Sequence, residues 1–261
     1  VHMEDFPLLL YLFYCRFVAV KSNRIIVMKT PLLFLSFFIS LVIGISCSSE
    51  VHKPVIFIAG DSTAQGYDTT KTVMRGWGQM LPYYIGNEIV IENHAKAGRS
   101  TKSFRAEGRW DSIMNRIQKG DWVLIQFSHN DTSTKPERHA SPEEFKSNLI
   151  RFIEDTRVKE ANPMLLTPLV MRTFHEGNLI DNRLKVYPAI IRQVAQKYDV
   201  PMIDVNLKTR DLILLLGDEN SKDLYVPNDD THTCEAGARA VAEIVAKGLK
   251  EHGVIDGCSP M

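Results

Sequence analysis

Five short apolar runs, each closing on polar or turn residues, set the strongest limit on what this chain can fold into. They are Val55 to Ile58, at the head of "VIFIAGDSTAQG"; Glu88 to Asn93, "EIVIEN"; Asp121 to Phe127, "DWVLIQF"; Pro163 to Pro168, "PMLLTP"; and Val200 to Asp204, "VPMID". An unbroken apolar run of strand length, rich in β-branched residues, suits a strand covered on both faces, as in a parallel sheet. Helical patterns lie between the runs. In "SPEEFKSNLIRFIEDTRVKE", Ser141 can cap, Pro142 suits the first helical position and Glu144 completes a capping box, while Phe145, Leu149, Phe152 and Ile153 share one apolar face. A second helix, Ala236 to Glu251, turns Val241, Ile244, Val245 and Leu249 inward. Strand alternating with helix predicts α/β architecture: a parallel sheet with helices on both faces.

Charge narrows the function classes. Lysine plus arginine equals aspartate plus glutamate, 31 each in 261 residues, so no excess points to a nucleic-acid or polyanion partner. The N-terminal part reads as targeting sequence and not as fold. Met28-Lys29 followed by "TPLLFLSFFISLVIGISC" has a charged start, an apolar stretch of signal length and small residues before Cys47. It resembles a bacterial lipoprotein signal that would leave Cys47 as the lipidated N-terminus; an uncleaved anchor and a plain signal peptide are the other readings. Residues 1–27 read as an upstream extension, 28–46 as the signal, 47–53 as a tether, 54–252 as one domain and 253–261 as a tail. The expected location is outside the cytoplasm, with membrane contact only through the lipid. Of the remaining cysteines, Cys234 and Cys258 could pair in an oxidising compartment or stay as two thiols.

The strand ends should share one crevice, because in open α/β sheets the loops leaving the strands converge there. They carry, in order, Gly60-Asp61-Ser62; "HAKAGRST" with Gly98; "SHND" with Asn130; and, before the last helix, "DDTHT" with Asp229 and His232. Those are the parts of an acyl-transfer site. Ser62 can serve as nucleophile and His232 as its base with Asp229 orienting it, while the Ser62 and Gly98 backbone N–H groups and the Asn130 amide can hold the oxyanion. Each part has a plainer reading. Gly60-Asp61-Ser62 is also a common turn or helix N-cap, and Asp229 to Thr231 could simply precede a helix. Asp61 reads as a loop-shaping residue and His129 as a structural histidine. Arg99 and Arg105 could bind uronate carboxylates or be solvated charges; Trp77 and Trp110 could stack on sugar rings or fill the core.

Taken together, "GDS", the glycine of the second block, "HND" and "DxxH" resemble the SGNH hydrolase superfamily, the GDSL-like esterases and lipases. The resemblance spans nearly the whole mature chain. It implies a flavodoxin-like α/β/α sandwich with a five-stranded parallel sheet, the triad Ser62, His232 and Asp229, and an oxyanion hole of Ser62, Gly98 and Asn130. Ser128 stands where the superfamily usually has glycine. "GDSTAQG", "GWGQMLPYY", "NHAKAGRSTKSFRAEGRW", "TPLVMRTF" and "DDTHTCEAGARAVAEIV" are further similar to rhamnogalacturonan acetylesterases. That similarity implies an acetylated polysaccharide or oligosaccharide as partner and no cofactor or metal.

Competing classes fare worse. A metal-dependent deacetylase needs histidines and carboxylates at ligand spacing, and His129, His139, His175 and His232 stand far apart. An α/β-hydrolase needs a Gly-x-Ser-x-Gly elbow, which Ser62 lacks. Acetylated xylan, another glycan, a lipid ester or a thioester remain alternative substrates, and an inactive glycan-binding module is the non-enzyme alternative.

Overall fold

The computed structural model describes residues 53–86, 89–180, 183–184 and 186–255. The lipoprotein-like segment, Cys47 and Cys258 lie outside them. Among the described residues the strands are β1 (Val55–Gly60), β2 (Val90–Asn93), β3 (Trp122–Gln126), β4 (Asn162–Leu166), the two-residue hairpin partners β5 (Phe174–His175) and β6 (Asn178–Leu179), and β7 (Met202–Ile203). The helices are α1 (Trp77–Met80), α2 (Thr101–Ala106), α3 (Arg109–Met114), α4 (Pro142–Val158), α5 (Tyr187–Lys197), α6 (Val205–Ser221) and α7 (Glu235–Glu251).

The five predicted runs form one parallel sheet in the order β2-β1-β3-β4-β7. Their side chains alternate between two cores. Ile56, Ile58, Leu124, Met164 and Leu166 pack with Trp77, Val241, Val245 and Leu249 on one face. Phe57, Val123, Ile125 and Leu165 pack with Phe104, Trp110, Phe145, Leu149, Phe152 and Ile191 on the other. Burial on both faces is the reason the strands read as unbroken apolar runs. The α4 capping box forms as its sequence dictates: Ser141 Oγ accepts from the Glu144 amide and Glu144 Oε2 from the Ser141 amide. Ile244 departs from its expected place, lying half-buried at the margin of α7.

This strand order has a consequence for the site. The chain leaves β1 toward β2 on one side and returns to β3 on the other, so the crevice beyond β1 and β3 is a topological switch point, where ligands of such sheets bind. Ser62 follows β1 by two residues and Asn130 follows β3 by four.

Candidate active site

The turn after β1 is built by Asp61. Its Oδ1 accepts from the Thr63 amide at 2.9 Å and the Thr63 hydroxyl at 2.8 Å, while its carbonyl accepts from the amides of Ala64 and Gln65. Ser62 is thereby presented at the strand end, although at 7 % exposure its hydroxyl is far more enclosed than a bare loop end would suggest. Tyr67, whose hydroxyl donates to the Ser62 carbonyl at 2.9 Å, helps enclose it. Burial, reinforced by the charges of Asp61 and Asp229, pushes the Tyr67 phenol up to about 12, so it stays a donor. Gln79 fixes Tyr67 by bonding both its amide and its carbonyl at 3.0 Å.

His232 arrives from the far end of the chain. Its Nε2 lies 2.9 Å from Ser62 Oγ and its Nδ1 2.7 Å from Asp229 Oδ2. The other Asp229 oxygen accepts from the amides of Thr231 (2.8 Å) and His232 (2.9 Å), so one tight turn orients both carboxylate and imidazole. Burial works to raise the Asp229 carboxyl, but the two amide donors and the imidazole outweigh it and hold the group below the ordinary aspartate value. The turn is anchored on both flanks. Thr233 exchanges bonds with the Arg75 backbone, and the Arg172 amide donates to the Asp230 carbonyl at 2.8 Å. The Arg172 guanidinium, almost buried, also pairs with Asp218 and bonds Ser221 Oγ. Asp229 does not cap α7; the N-cap is Cys234, five residues on.

The second and third strand ends are locked to each other. Asn130 Nδ2 donates to the Arg99 carbonyl at 3.1 Å, and Asp131 Oδ1 accepts from the Thr101 amide (3.0 Å) and hydroxyl (2.5 Å). Gln65 carries the lock to the nucleophile turn, its Oε1 accepting from the Ala97 amide at 2.5 Å. Gly98 has φ +77°, a conformation glycine adopts without steric cost, and a Cβ there would lie 3.2 Å from the Arg138 guanidinium. Beneath the turn, Gln126 accepts from Trp77 Nε1 at 2.7 Å and from Thr63 Oγ1 at 3.2 Å, and donates to the Thr167 carbonyl at 3.0 Å.

Several residues singled out from the sequence sit elsewhere. Trp77 and Trp110 are 0 % and 1 % exposed, so neither can stack on a sugar. Trp77 belongs to one core, and Trp110 packs edge-on against Phe152 at 4.5 Å and donates to Asp155 at 2.9 Å. Arg99 pairs at 2.9 Å with Glu107, which Arg109 shares at 2.8 Å, and donates to the Ala97 carbonyl, which makes it a brace of the Gly98 loop. Arg105 is spent on Asp155 at 2.8 Å. His129 is buried, and its carbonyl accepts from Arg183 and Thr132. Cys234 holds a free thiol, which donates to the Asp223 carbonyl at 3.0 Å.

Ser128, placed where the resemblance expects glycine, has φ 143°, and its hydroxyl is buried with no partner among the described residues. Backbone strain of about 1–3 kcal/mol and an orphan hydroxyl together exceed the roughly 1 kcal/mol of unfolded-state entropy that glycine adds. Ser128→Gly is therefore expected to raise stability by about 1 kcal/mol or more, read as a higher urea midpoint with activity retained. An unchanged or lowered midpoint would refute this account of Ser128.

Asp131 gives a pH prediction. Burial pushes its carboxyl up to about 7 against the two Thr101 donors, with the Asp61 charge adding to the rise, and its Oδ2 has no partner among the described residues. An unfolded aspartate ionises near ~4, so between about pH 4 and 7 the unfolded chain releases the proton first and the folded state loses stability; above that range the loss is constant. The wild type should lose on the order of 3 kcal/mol relative to Asp131→Asn on going from pH 4 to pH 8. Denaturant titrations at several pH values test this, and parallel pH profiles for the two proteins would reject it.

A hydroxyl, imidazole and carboxylate in one hydrogen-bonded chain, beside two loops able to present N–H donors, is an arrangement that can transfer acyl groups. The comparisons with known proteins agree in kind. Residues 58–240 match the GDSL-like lipase/acylhydrolase family. The chain is 38% identical over 218 residues to the rhamnogalacturonan acetylesterase RhgT of Bacillus subtilis, covering 78% of this chain and 93% of that protein. The crystal structure of YxiM from Bacillus subtilis superposes with a TM-score of 0.71 at 32% identity, covering 78% of this chain and 58% of that one. In fold alone, a catalytic mutant of the acetylxylan esterase Axe2 from Geobacillus stearothermophilus is also similar, with a TM-score of 0.58 at 17% identity over 75% of this chain and 94% of that one. The chain belongs to the GDSL-like lipase/acylhydrolase family.

Proposed function

We propose that this protein is an exported serine esterase that removes O-acetyl groups from plant cell-wall polysaccharide, acetylated rhamnogalacturonan foremost. The observation that carries the reading is the unbroken chain from Ser62 Oγ through His232 to Asp229. RhgT, by its name a rhamnogalacturonan acetylesterase, supports the substrate. His232 Nε2 takes the Ser62 proton as Oγ attacks the acetyl carbonyl; Asp229, kept ionised, holds the imidazole and balances the charge it gains. The carbonyl oxygen becomes an oxyanion between the Ser62 and Gly98 amides and Asn130 Nδ2. His232 then returns the proton to the departing sugar hydroxyl, leaving an acetyl-Ser62 ester. Water, deprotonated by His232, releases acetate by the same steps. The segment around Cys47 supports export and anchoring by lipid.

Acetate release from acetylated rhamnogalacturonan, acetylated xylan and 4-nitrophenyl acetate, measured side by side, tests the reading. The highest kcat/KM is expected on rhamnogalacturonan. Release from the aryl ester alone would remove the polysaccharide assignment, and none from any of the three would remove the esterase.

A further inference from the structure

The two arginines that the sequence offered for binding an acidic sugar are both paired, Arg99 with a Glu107 that Arg109 shares and Arg105 with Asp155. A third guanidinium lies against the Gly98 loop. The Cζ and both terminal nitrogens of Arg138 stand 3.2 Å from the point where Gly98 would carry a Cβ. Three equal distances mean that the planar group lies flat against Gly98, the residue expected to supply an oxyanion-hole amide. Glycine at this position is therefore what allows the arginine to come so near. Arg138 is held by its backbone, its amide donating to the Lys135 carbonyl at 3.0 Å, and its side chain is half-buried. No carboxylate pairs with it among the described residues. Glu137, the single acid in the segment 132–140, is exposed and forms no ion pair with it.

A guanidinium partly withdrawn from water and left without an anion is an open position for one, and its fork of donors matches a carboxylate in two parallel bonds. The surrounding charges agree. Lys135 shares the segment, exposed Lys96 precedes Gly98 by two residues, and Arg183 docks on the same loop through the His129 carbonyl at 3.0 Å. On the His232 turn, Asp229 holds the imidazole and Asp230 pairs with Arg172 at 3.4 Å. The cations gather around the Gly98 loop and favour an anionic sugar there.

Resting on the reading of the site as a polysaccharide acetylesterase, we propose that Arg138 sets substrate specificity by pairing with the carboxylate of a uronic acid that bears, or adjoins, the acetylated hydroxyl. A substrate carbonyl seated between Ser62, Gly98 and Asn130 brings the ring that carries the ester against the Gly98 loop, where the guanidinium lies. A neutral glycan leaves Arg138 unpaired and gains nothing from it.

The test compares wild type, Arg138→Gln and Arg138→Lys on acetylated rhamnogalacturonan oligosaccharides, on the same oligosaccharides with their carboxylates reduced to alcohols, and on 4-nitrophenyl acetate. Oligogalacturonate is assayed in parallel as an inhibitor of aryl acetate hydrolysis, and thermal unfolding verifies that each variant is folded. Losing a charge-assisted pair should lower kcat/KM on the acidic substrate by about ten- to a hundredfold, mainly through KM, and raise the inhibition constant by a similar factor. The preference for acidic over reduced substrate should vanish in Arg138→Gln and return in part in Arg138→Lys. An equal fractional loss on all three substrates would make Arg138 a support of the oxyanion hole and overturn the proposal, as would an acid preference that survives in Arg138→Gln. Failure of the polysaccharide reading looks different. A wild type that cleaves only the aryl ester, yet is inhibited by oligogalacturonate through Arg138, refutes that reading and upholds the carboxylate site.

Discussion

Ser62→Ala is expected to lower ester hydrolysis by about a thousandfold or more while the protein remains folded. The size follows from geometry. Among the described residues Ser62 Oγ is the one hydroxyl bonded to His232 Nε2, and without it the acetyl group has no such atom to be transferred to. What activity persists would come from water activated by His232 within the intact oxyanion hole, a residual that such sites retain. The structural cost is small, because a single hydrogen bond contributes about 1 kcal/mol and a few degrees of melting temperature at most. Acetate release and thermal unfolding of the same preparation separate the two effects. A variant that keeps half of its turnover would exclude Ser62 as the nucleophile; one that loses turnover together with its fold would have to be replaced by Ser62→Gly before anything is concluded.

Much of the frame was legible because it depends on short-range pattern. Burial on both faces makes β1, β3 and β4 continuous apolar runs, and the capping residues of α4 are local by nature. The strand-end blocks could be joined into one site because parallel strands send all their C-terminal ends to the same edge. What escaped the sequence depends on contacts between distant residues. Arg99 finds Glu107 across helix α2, Arg105 finds Asp155 fifty residues away, and each pairing engages a guanidinium that had looked available. Trp77 and Trp110 look the same in sequence whether they face solvent or core; their buried indole N–H groups find Gln126 and Asp155 only in the fold. Gln126 did leave a trace, a lone amide ending the otherwise apolar run "WVLIQ". Arg138 left none, since its nearness to Gly98 spans forty residues of chain. Ser128 was visible as an exception, and its positive φ explains why glycine suits that place.

Asn130→Ala should lower kcat by about a hundredfold to a thousandfold with KM little changed. On the proposed role the amide stands where charge would develop during attack: the ground-state carbonyl asks little of it, the oxyanion asks much, and an interaction of that kind is lost from kcat and not from binding. In the resting structure Asn130 Nδ2 donates one hydrogen to the Arg99 carbonyl, and an amide nitrogen carries two. The bond to Arg99 therefore orients the side chain and leaves the second hydrogen for the proposed oxyanion, so no reorientation is needed when the reaction begins. Asn130→Asp separates the two functions. It matches the amide in size, but it cannot donate when ionised and would set a negative charge beside the oxyanion, so its loss should equal or exceed that of alanine. Steady-state kinetics on 4-nitrophenyl acetate, whose small acyl and leaving groups make few other contacts, isolate the effect. If Asn130→Ala raises KM alone, the residue positions substrate, and the oxyanion must be held by the Ser62 and Gly98 amides without it.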